Sequence, residues 1–465
     1  ACIYGHALEG NFHFIINQAF DTDEEVARYE QLMNDVITLV VDKYDGSLKA
    51  EHGTGRNMAP FVKYEWGETA YQYMREIKEI FDSKYRLNPG VIFNDDPKCH
   101  LKNFKPLPLT NEHIDKCIEC GFCEVNCLSC GFTLSSRQRI VIRREISRLS
   151  RLPGKEKQME LLEKQYKYPG NQTCAGDGLC SMSCPMGINV GDLTHDIRQS
   201  HLPKGSLGYK AGDFAARHLS GIESALRPVL SVANTAHSLL GSKAMASLTR
   251  GLRYLSGSKM PLWTPAMPKA RYPHKTAQKN KPLKVVYFPS CINQTMGVSQ
   301  HSPESTPLID KTVHLLQKAG YEVIFPPHME RLCCGTIWES KGMPDIADRK
   351  SAELEAALYE ASNEGLYPVL CDQSPCLYRM RHTIKKIKLY EPVEFINTFL
   401  LDKLVFKKID EPIAIHITCS MRKMGLDKQL IELAGRCTSN VLVPEGVGCC
   451  GFAGDKGFTQ PELNA

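Results

Sequence analysis

Apolar and polar positions along this chain follow two periods, and the switches between them mark its elements. Near the start, the run from Phe12 to Ile16 alternates with period two and predicts a buried strand. A helix-like stretch follows from Thr22 to Lys43, closed by the turn Tyr44-Asp45-Gly46. Ser135 to Ser150 is a strongly basic amphipathic segment that places Ile140, Ile146 and Leu149 on one helix face. Further helices are predicted from Glu156 to Tyr166 and from an opening near Gly191-Asp192. Between Ala225 and Leu255, short apolar groups are interrupted by isolated bases. The strand pattern then returns. Lys284-Val-Val-Tyr-Phe, Tyr367-Pro-Val-Leu and Ile413-Ala-Ile-His-Ile are short runs that lead into Cys291, Cys371 and Cys419. Buried parallel strands deliver ligands from their C-terminal ends in this way. The pattern is that of a multidomain α/β protein.

Composition narrows the class. The chain has 465 residues, 23% charged and 42% hydrophobic, which is globular material for about two to four domains. No run reaches the roughly eighteen apolar residues of a bilayer-crossing helix, and the opening residues do not read as a basic-plus-apolar leader. The first residue is Ala1 and Gly5 to His13 already has the look of a domain interior, so an internal piece of a longer protein is expected. Residues 204–284 hold fourteen Lys and Arg against only Asp213 and Glu223. Such a stretch suits an anionic membrane surface, or a solvated connector packed on the preceding domain. It lacks the interleaved aromatics that stack on bases, so nucleic acid is not expected as a partner.

The nineteen cysteines change the picture most, because they cluster. One group reads Cys117-x2-Cys120-x2-Cys123-x3-Cys127, and the next has Cys174, Cys180 and Cys184-Pro185. The first spacing is the one that holds iron–sulfur cubanes, three thiolates from a tight loop and the fourth from the other motif. Cluster A is then Cys117, Cys120, Cys123 and Cys184. Cluster B is Cys174, Cys180 and Cys127, with Asp177 where a cysteine ordinarily sits. Zinc favours paired C-x2-C motifs and fits the first group poorly. Disulfides do not suit a chain that otherwise looks cytosolic. For cluster B a three-iron cluster, an oxygen-ligated cubane and a site borrowing Cys130 all stay open.

Two other constellations carry chemistry. Gly5-His6 through Asn11-Phe12-His13 and Glu51-His52-Gly53-Thr54-Gly55-Arg56 together offer imidazoles and a carboxylate, a set for a divalent metal with an open position. Three unrelated polar residues are the plainer alternative. In the last third, the strand leading to Cys291 and the strand leading to Cys419 are each followed by Met-Gly, then by Cys333-Cys334-Gly335 or Cys449-Cys450-Gly451, then by a Lys-Gly pair. This is an internal repeat. Its first copy adds Cys371 and Cys376.

On these motifs residues 1–98 resemble the C-terminal part of the FAD-linked oxidase family, which oxidises D-2-hydroxy acids and carries a histidine motif, an E-H-G-x-G motif and a loop like Leu87-Asn88-Pro89-Gly90-Val91-Ile92-Phe93. The resemblance implies that His6, His13 and Glu51 bind a divalent metal, zinc by expectation, that grips the substrate carboxylate and hydroxyl. It implies that His52 is the base that takes the hydroxyl proton, a role suited to a pKa near neutrality, and that Asn88 touches the flavin. Ala7-Leu8-Glu9 departs from the family's x-G-D, and the nucleotide-binding half of the flavin domain is absent from these residues. Residues 99–203 resemble an α-helical ferredoxin domain with two 4Fe-4S clusters. Residues 284–400 and 411–465, flanking a short connection after the basic helical linker 204–283, resemble the CCG cysteine-rich domains of heterodisulfide reductases. There, Cys291, Cys333, Cys334, Cys371 and Cys376 form one thiolate site for a cluster or zinc, and Cys419, Cys449 and Cys450 form part of another. The whole resembles the later half of fused D-lactate dehydrogenases. The implied activity is hydride transfer from a D-2-hydroxy acid to FAD, D-lactate before glycolate or D-2-hydroxyglutarate. Single electrons would then pass through the clusters to a quinone or cytochrome. A cytoplasmic protein at the inner face of the membrane is implied. The alternatives are an electron-transfer module with no substrate of its own and a thiol–disulfide reductase.

Overall fold

The computed structural model describes residues 2–464 apart from 17, 21, 50, 105–106, 258–259, 273–280 and 455. These form two compact units, one of Ala1–Cys120 with Val141–Met159 and one of Gly121–Ile140 with Glu160–Ala465.

In the first unit, β1 (Cys2–His6) and β2 (Asn11–Ile15) pair antiparallel, with Tyr4 opposite His13 and His6 opposite Asn11. The turn between them closes through Gly10 at φ +66°, left-handed backbone that glycine adopts without strain. The predicted strand is present, but it is not buried. Period-two alternation turns Phe12 and Phe14 outward, 69% and 46% exposed, and turns His13 to the half-buried face. The ribbon has two strands among the described residues, so its apolar face stays open. Next, α1 (Asp23–Thr38) starts on a capping box in which the Thr22 side chain accepts from Glu25 N–H and the Glu25 carboxylate accepts from Thr22 N–H. Its buried residues are Met33 and Ile37. A wider turn carries the helix through Leu39–Lys43. The last long element of this region, α2 (Val62–Phe81), bends at Gly67.

The cysteine-rich part is helical, as the pattern predicts: α3 (Ser136–Ser150), α4 (Glu156–Tyr166) and α5 (Val190–Ser200). Asn189 caps α5 by accepting from Gly191 N–H at 3.0 Å. The basic stretch that follows forms α6 (Leu207–Arg217) and α7 (Leu219–Leu255), the latter bent at Gly241, while 258–259 and 273–280 of that stretch lie outside the described residues. As a connector it was expected to pack on the cluster domain; α6 packs on the following sheet domain instead. Its Ala216 joins the core around Val286 and Phe288, its Gly212 carbonyl accepts from Trp338 Nε1 at 2.9 Å, and its Asp213 pairs with Arg349 at 2.6 Å.

That domain is built on a parallel sheet. The short β3 (Pro268–Ala270) lies outside it, and β4 (Leu283–Phe288) lies within. Past β4, the strand β5 (Met296–Ser299) pairs with β3, whereas β6 (Tyr321–Ile324), β7 (Val369–Cys371) and β8 (Leu389–Tyr390) complete the order β6-β4-β7-β8. All four sheet strands run parallel. Val286 and Phe288 face one core, and Val285 and Tyr287 face another, so β4 is buried on both sides. The second copy is slighter. Its strand β9 (Ile413–Ala414) pairs with β10 (Val441–Leu442), and Ala414 is exposed, so among the described residues a long buried strand is not reproduced there.

Candidate functional site

The first constellation gathers on one carboxylate. His13 Nε2 and His52 Nε2 lie 3.2 and 3.3 Å from Glu51 Oε1, and His6 Nε2 lies 3.3 Å from Oε2. The hairpin explains this convergence. It sets His6 and His13 on neighbouring strands, and the loop at 51–56 brings Glu51 and His52 to them. The ligand atoms of His13, Glu51 and His52 lie within 4.8 Å of one another. Three imidazoles on a carboxylate are a donor set for a divalent cation. The tight triple takes in His52, which was expected to be the base, whereas His6 reaches only the second carboxylate oxygen. The cluster is open: side-chain exposure is 60% for His6, 77% for His52 and 17% for His13. Asn88 sits in a turn at φ +44°, held near the Glu51 loop by Arg56 Nε donating to Pro89 O at 3.1 Å.

The second constellation is more deeply buried. In the second unit, Cys127, Cys174, Cys180 and Asp177 line one cavity, partly open to solvent, together with Arg139, Gly176 and Val190. These are the four residues expected for cluster B. Cys130 is exposed and outside the lining. Thiolate chemistry fits the cavity. Arg139 Nη1 approaches Cys127 Sγ at 3.7 Å, and Val190 N–H donates to Cys180 Sγ at 3.4 Å. Burial pushes the Cys180 thiol up to about 12, so ligation of iron there would have to displace its proton. His195 stands beside Gly176, and its burial pulls the imidazole down to about 4. Of the cluster A residues, Cys117 and Cys120 belong to the first unit and Cys123 and Cys184 to the second. Cys117 Sγ accepts from Glu119 N–H at 3.3 Å.

The third constellation lies at the C-terminal edge of the parallel sheet. Cys291 follows β4 and Cys371 ends β7. Cys333 contacts Cys291 and Cys334, and Cys334 contacts Cys376. Hydrogen bonds from Cys333 and Cys376 hold the Cys334 thiol well below its ordinary range, while Cys333 and Cys376 are pushed up by the same contacts and Cys371 by burial. In the second copy, Cys419 and Cys449 touch, which lowers Cys419 to about 7 and raises Cys449; Cys450 is exposed.

Comparison with known families follows this geometry. Residues 1–92 match the model of FAD linked oxidases, C-terminal domain, and residues 113–188 match the 4Fe-4S dicluster domain. The chain carries an FAD-oxidase C-terminal domain and a 4Fe-4S dicluster domain. A D-2-hydroxyglutarate dehydrogenase of Stutzerimonas stutzeri is 35% identical over 92 residues, 19% of this chain and 20% of the relative. A mitochondrial D-lactate dehydrogenase [cytochrome] 1 of Saccharomyces cerevisiae is 36% identical over 95 residues, 20% and 16%. A probable glycolate oxidase iron-sulfur subunit of Bacillus subtilis is 22% identical over 391 residues, 75% of this chain and 81% of the relative. The chain thus spans about a fifth of the length of the first of these relatives. No solved structure matches it.

What the sequence missed in the dicluster domain is buried arginine. The spacing of α3 marks it as a basic amphipathic helix without saying which bases turn inward, and Arg139 is 1% and Arg144 4% exposed. Arg139 donates to Gly170 O at 2.7 Å, Pro169 O at 3.1 Å, Ser129 Oγ at 2.9 Å and Thr173 Oγ1 at 3.2 Å, stitching the loops that carry Cys127 and Cys174. Arg144 pairs with Glu119 at 2.7 Å and donates to Cys117 O at 2.9 Å. Arg198 does the same work from α5, reaching Cys174 O at 3.2 Å.

Proposed function

We propose that this chain is the part of an FAD-dependent D-2-hydroxy acid dehydrogenase that binds the acid's head group and carries its electrons away through iron–sulfur clusters. The observation that carries the reading is the single carboxylate of Glu51 shared by His6, His13 and His52. His6, His13 and Glu51 would hold a divalent cation, zinc by our assignment, whose Lewis acidity draws in the carboxylate and hydroxyl of the substrate. His52, the most exposed of the three imidazoles, then takes the hydroxyl proton on Nε2. Asn88, positioned by the Arg56–Pro89 contact, would border the flavin. The flavin, when bound, supplies the hydride acceptor.

Downstream, Cys117, Cys120, Cys123 and Cys184 would hold one 4Fe-4S cluster, and Cys127, Cys174 and Cys180 with Asp177 the second. The first CCG copy would hold a further cluster or zinc on Cys291, Cys333, Cys334, Cys371 and Cys376. Electrons would leave to a quinone or cytochrome. No helix among the described residues is long and apolar enough to cross a membrane, so contact with a quinone-bearing bilayer would be peripheral. We assign D-lactate as the substrate ahead of D-2-hydroxyglutarate and glycolate.

A panel of D-2-hydroxy acids, assayed with the full-length flavin-loaded protein and a dye acceptor, tests this. Turnover of D-lactate above the others is expected. Silence on every acid, with intact cluster signals, would favour a second reading that the long match to an iron–sulfur subunit supports, an electron-transfer module without its own substrate.

A further inference from the structure

Each copy of the internal repeat carries a Lys-Gly pair that its thiol site does not use, Lys341-Gly342 and Lys456-Gly457. Both turns serve the same short loop, 171–174, which leads into Cys174 of the cluster B cavity. They do so through different atoms. In the first copy the contact runs through α5. Ser340 O accepts from Arg198 Nη1 at 2.7 Å. Gly342, at φ +84°, lies so close to the end of α5 that a Cβ there would meet Arg198 C and Gln199 N, each at 2.5 Å. The same guanidinium donates through Nε to Asn171 Oδ1 at 3.0 Å, and through Nη2 to Asn171 O at 2.9 Å and Cys174 O at 3.2 Å.

In the second copy the lysine reaches the loop directly, and Lys456 Nζ donates to Gln172 O. Just beyond it, Glu462 Oε1 accepts from Tyr168 Oη at 2.6 Å, in the turn Lys167–Gln172 that leads into the loop. A Cβ on Gly178 would meet Lys423 Nζ at 2.7 Å, so the helix that begins at Cys419 also abuts the stretch between Cys174 and Cys180. All of these residues belong to the second unit.

Hydrogen bonds from cationic donors are roughly twice as strong as neutral ones, and here they fall on the backbone of Asn171, Gln172 and Cys174. An iron–sulfur cluster gains negative charge on reduction, and its potential follows net charge, hydrogen bonding and solvent exposure. Two cations held on the loop that supplies a thiolate therefore favour the reduced form.

We infer that the Lys-Gly turns are docking clasps. One copy of the repeat seats Arg198, the other supplies Lys456, and together they position the Cys174 loop, so that both thiol modules set the potential of the second cluster. Arg198 and Lys456 are positioning residues, acting through the loop backbone. This rests on the reading that Cys127, Cys174, Cys180 and Asp177 hold an iron–sulfur cluster.

The test is a redox titration of the cluster-loaded whole chain, followed through the EPR signal of each cluster. Arg198→Met and Lys456→Met should each shift the second cluster to more negative potential, with the first cluster moving less. Lys456→Arg, which keeps a cationic donor, should behave as the parent. Gly342→Val changes no charge but pushes into the end of α5. It should alter the second cluster's signal and raise hydrogen exchange at the amides of 171–174 by about 2–10-fold, the worth of a typical hydrogen bond. Parental potentials in both Met variants would overturn the proposal, as would shifts of equal size in the two clusters. Parental signal and exchange in Gly342→Val would overturn it too. A parent whose iron and sulfide content shows no second cluster would instead remove the reading beneath it, and the exchange comparison would then decide the clasp by itself.

Discussion

The Glu51 site and the cluster B cavity bind by opposite strategies. At Glu51 the donors are hard, exposed and held by little more than one another: a two-stranded ribbon and one loop bring three imidazoles to a carboxylate that is 43% exposed. At the cavity the donors are soft and largely buried, and a buried guanidinium with four oxygen partners fixes the loops that carry them. The difference matches two kinds of chemistry. On the proposed function a substrate would enter and leave the first, where water is tolerated. Electrons would need no doorway at the second, which is largely buried and preorganised.

The contrast is broken most sharply at His52. In the full-length flavin-loaded protein, His52→Ala should lower kcat by about 10²–10⁴-fold, the usual worth of a general base, while leaving cluster absorbance unchanged. Steady-state assays beside visible spectra check both halves. Arg139→Met probes the sealed site. It removes a donor from the carbonyls of Gly170 and Pro169 and from the hydroxyls of Ser129 and Thr173, the last three of which keep a second partner, at a cost of about 2–4 kcal/mol in unfolding free energy. Denaturant titration should show this, with no change in zinc bound at the Glu51 site.

The smallest effect concerns imidazoles. His195, buried beside the cavity, has its pKa lowered by burial from 6.5 to about 4. A depressed folded pKa means that the unfolded chain takes up the proton first. The contribution is therefore complete above pH 6.5 and lost as pH falls toward 4, amounting to about 2–3 kcal/mol. His195→Gln should flatten the acid limb of the stability profile in that window, measured as the difference from the parent. An unchanged difference curve would mean that the imidazole is hydrated rather than sealed.

Local pattern made much of this molecule legible. The helix Glu156–Tyr166 stands where its spacing predicts, the capping pair Thr22 and Glu25 starts α1, and the apolar run at Val285–Phe288 is a central parallel strand. The set Cys127, Cys174, Cys180 and Asp177 was readable because iron–sulfur chemistry constrains spacing within a short loop. What spacing does not encode is which side of an element meets what. The alternation at Phe12–Phe14 predicted burial, but nothing covers that face of the ribbon among the described residues. The inward turn of Arg139 and Arg144 is not written in the spacing, because their partners are mostly backbone carbonyls, which carry no sequence signature.

On the proposed function, the Glu51 cluster would hold a hydroxy acid whose hydride goes to the flavin, and the iron–sulfur clusters would take the electrons from there. Anaerobic mixing of the full-length, flavin-loaded protein with D-lactate, followed by stopped-flow absorbance, tests this most directly. The parent should bleach its flavin first and its clusters afterwards, and His52→Ala should do neither. Flavin bleaching in His52→Ala at the parental rate, or cluster reduction ahead of the flavin, would contradict the account.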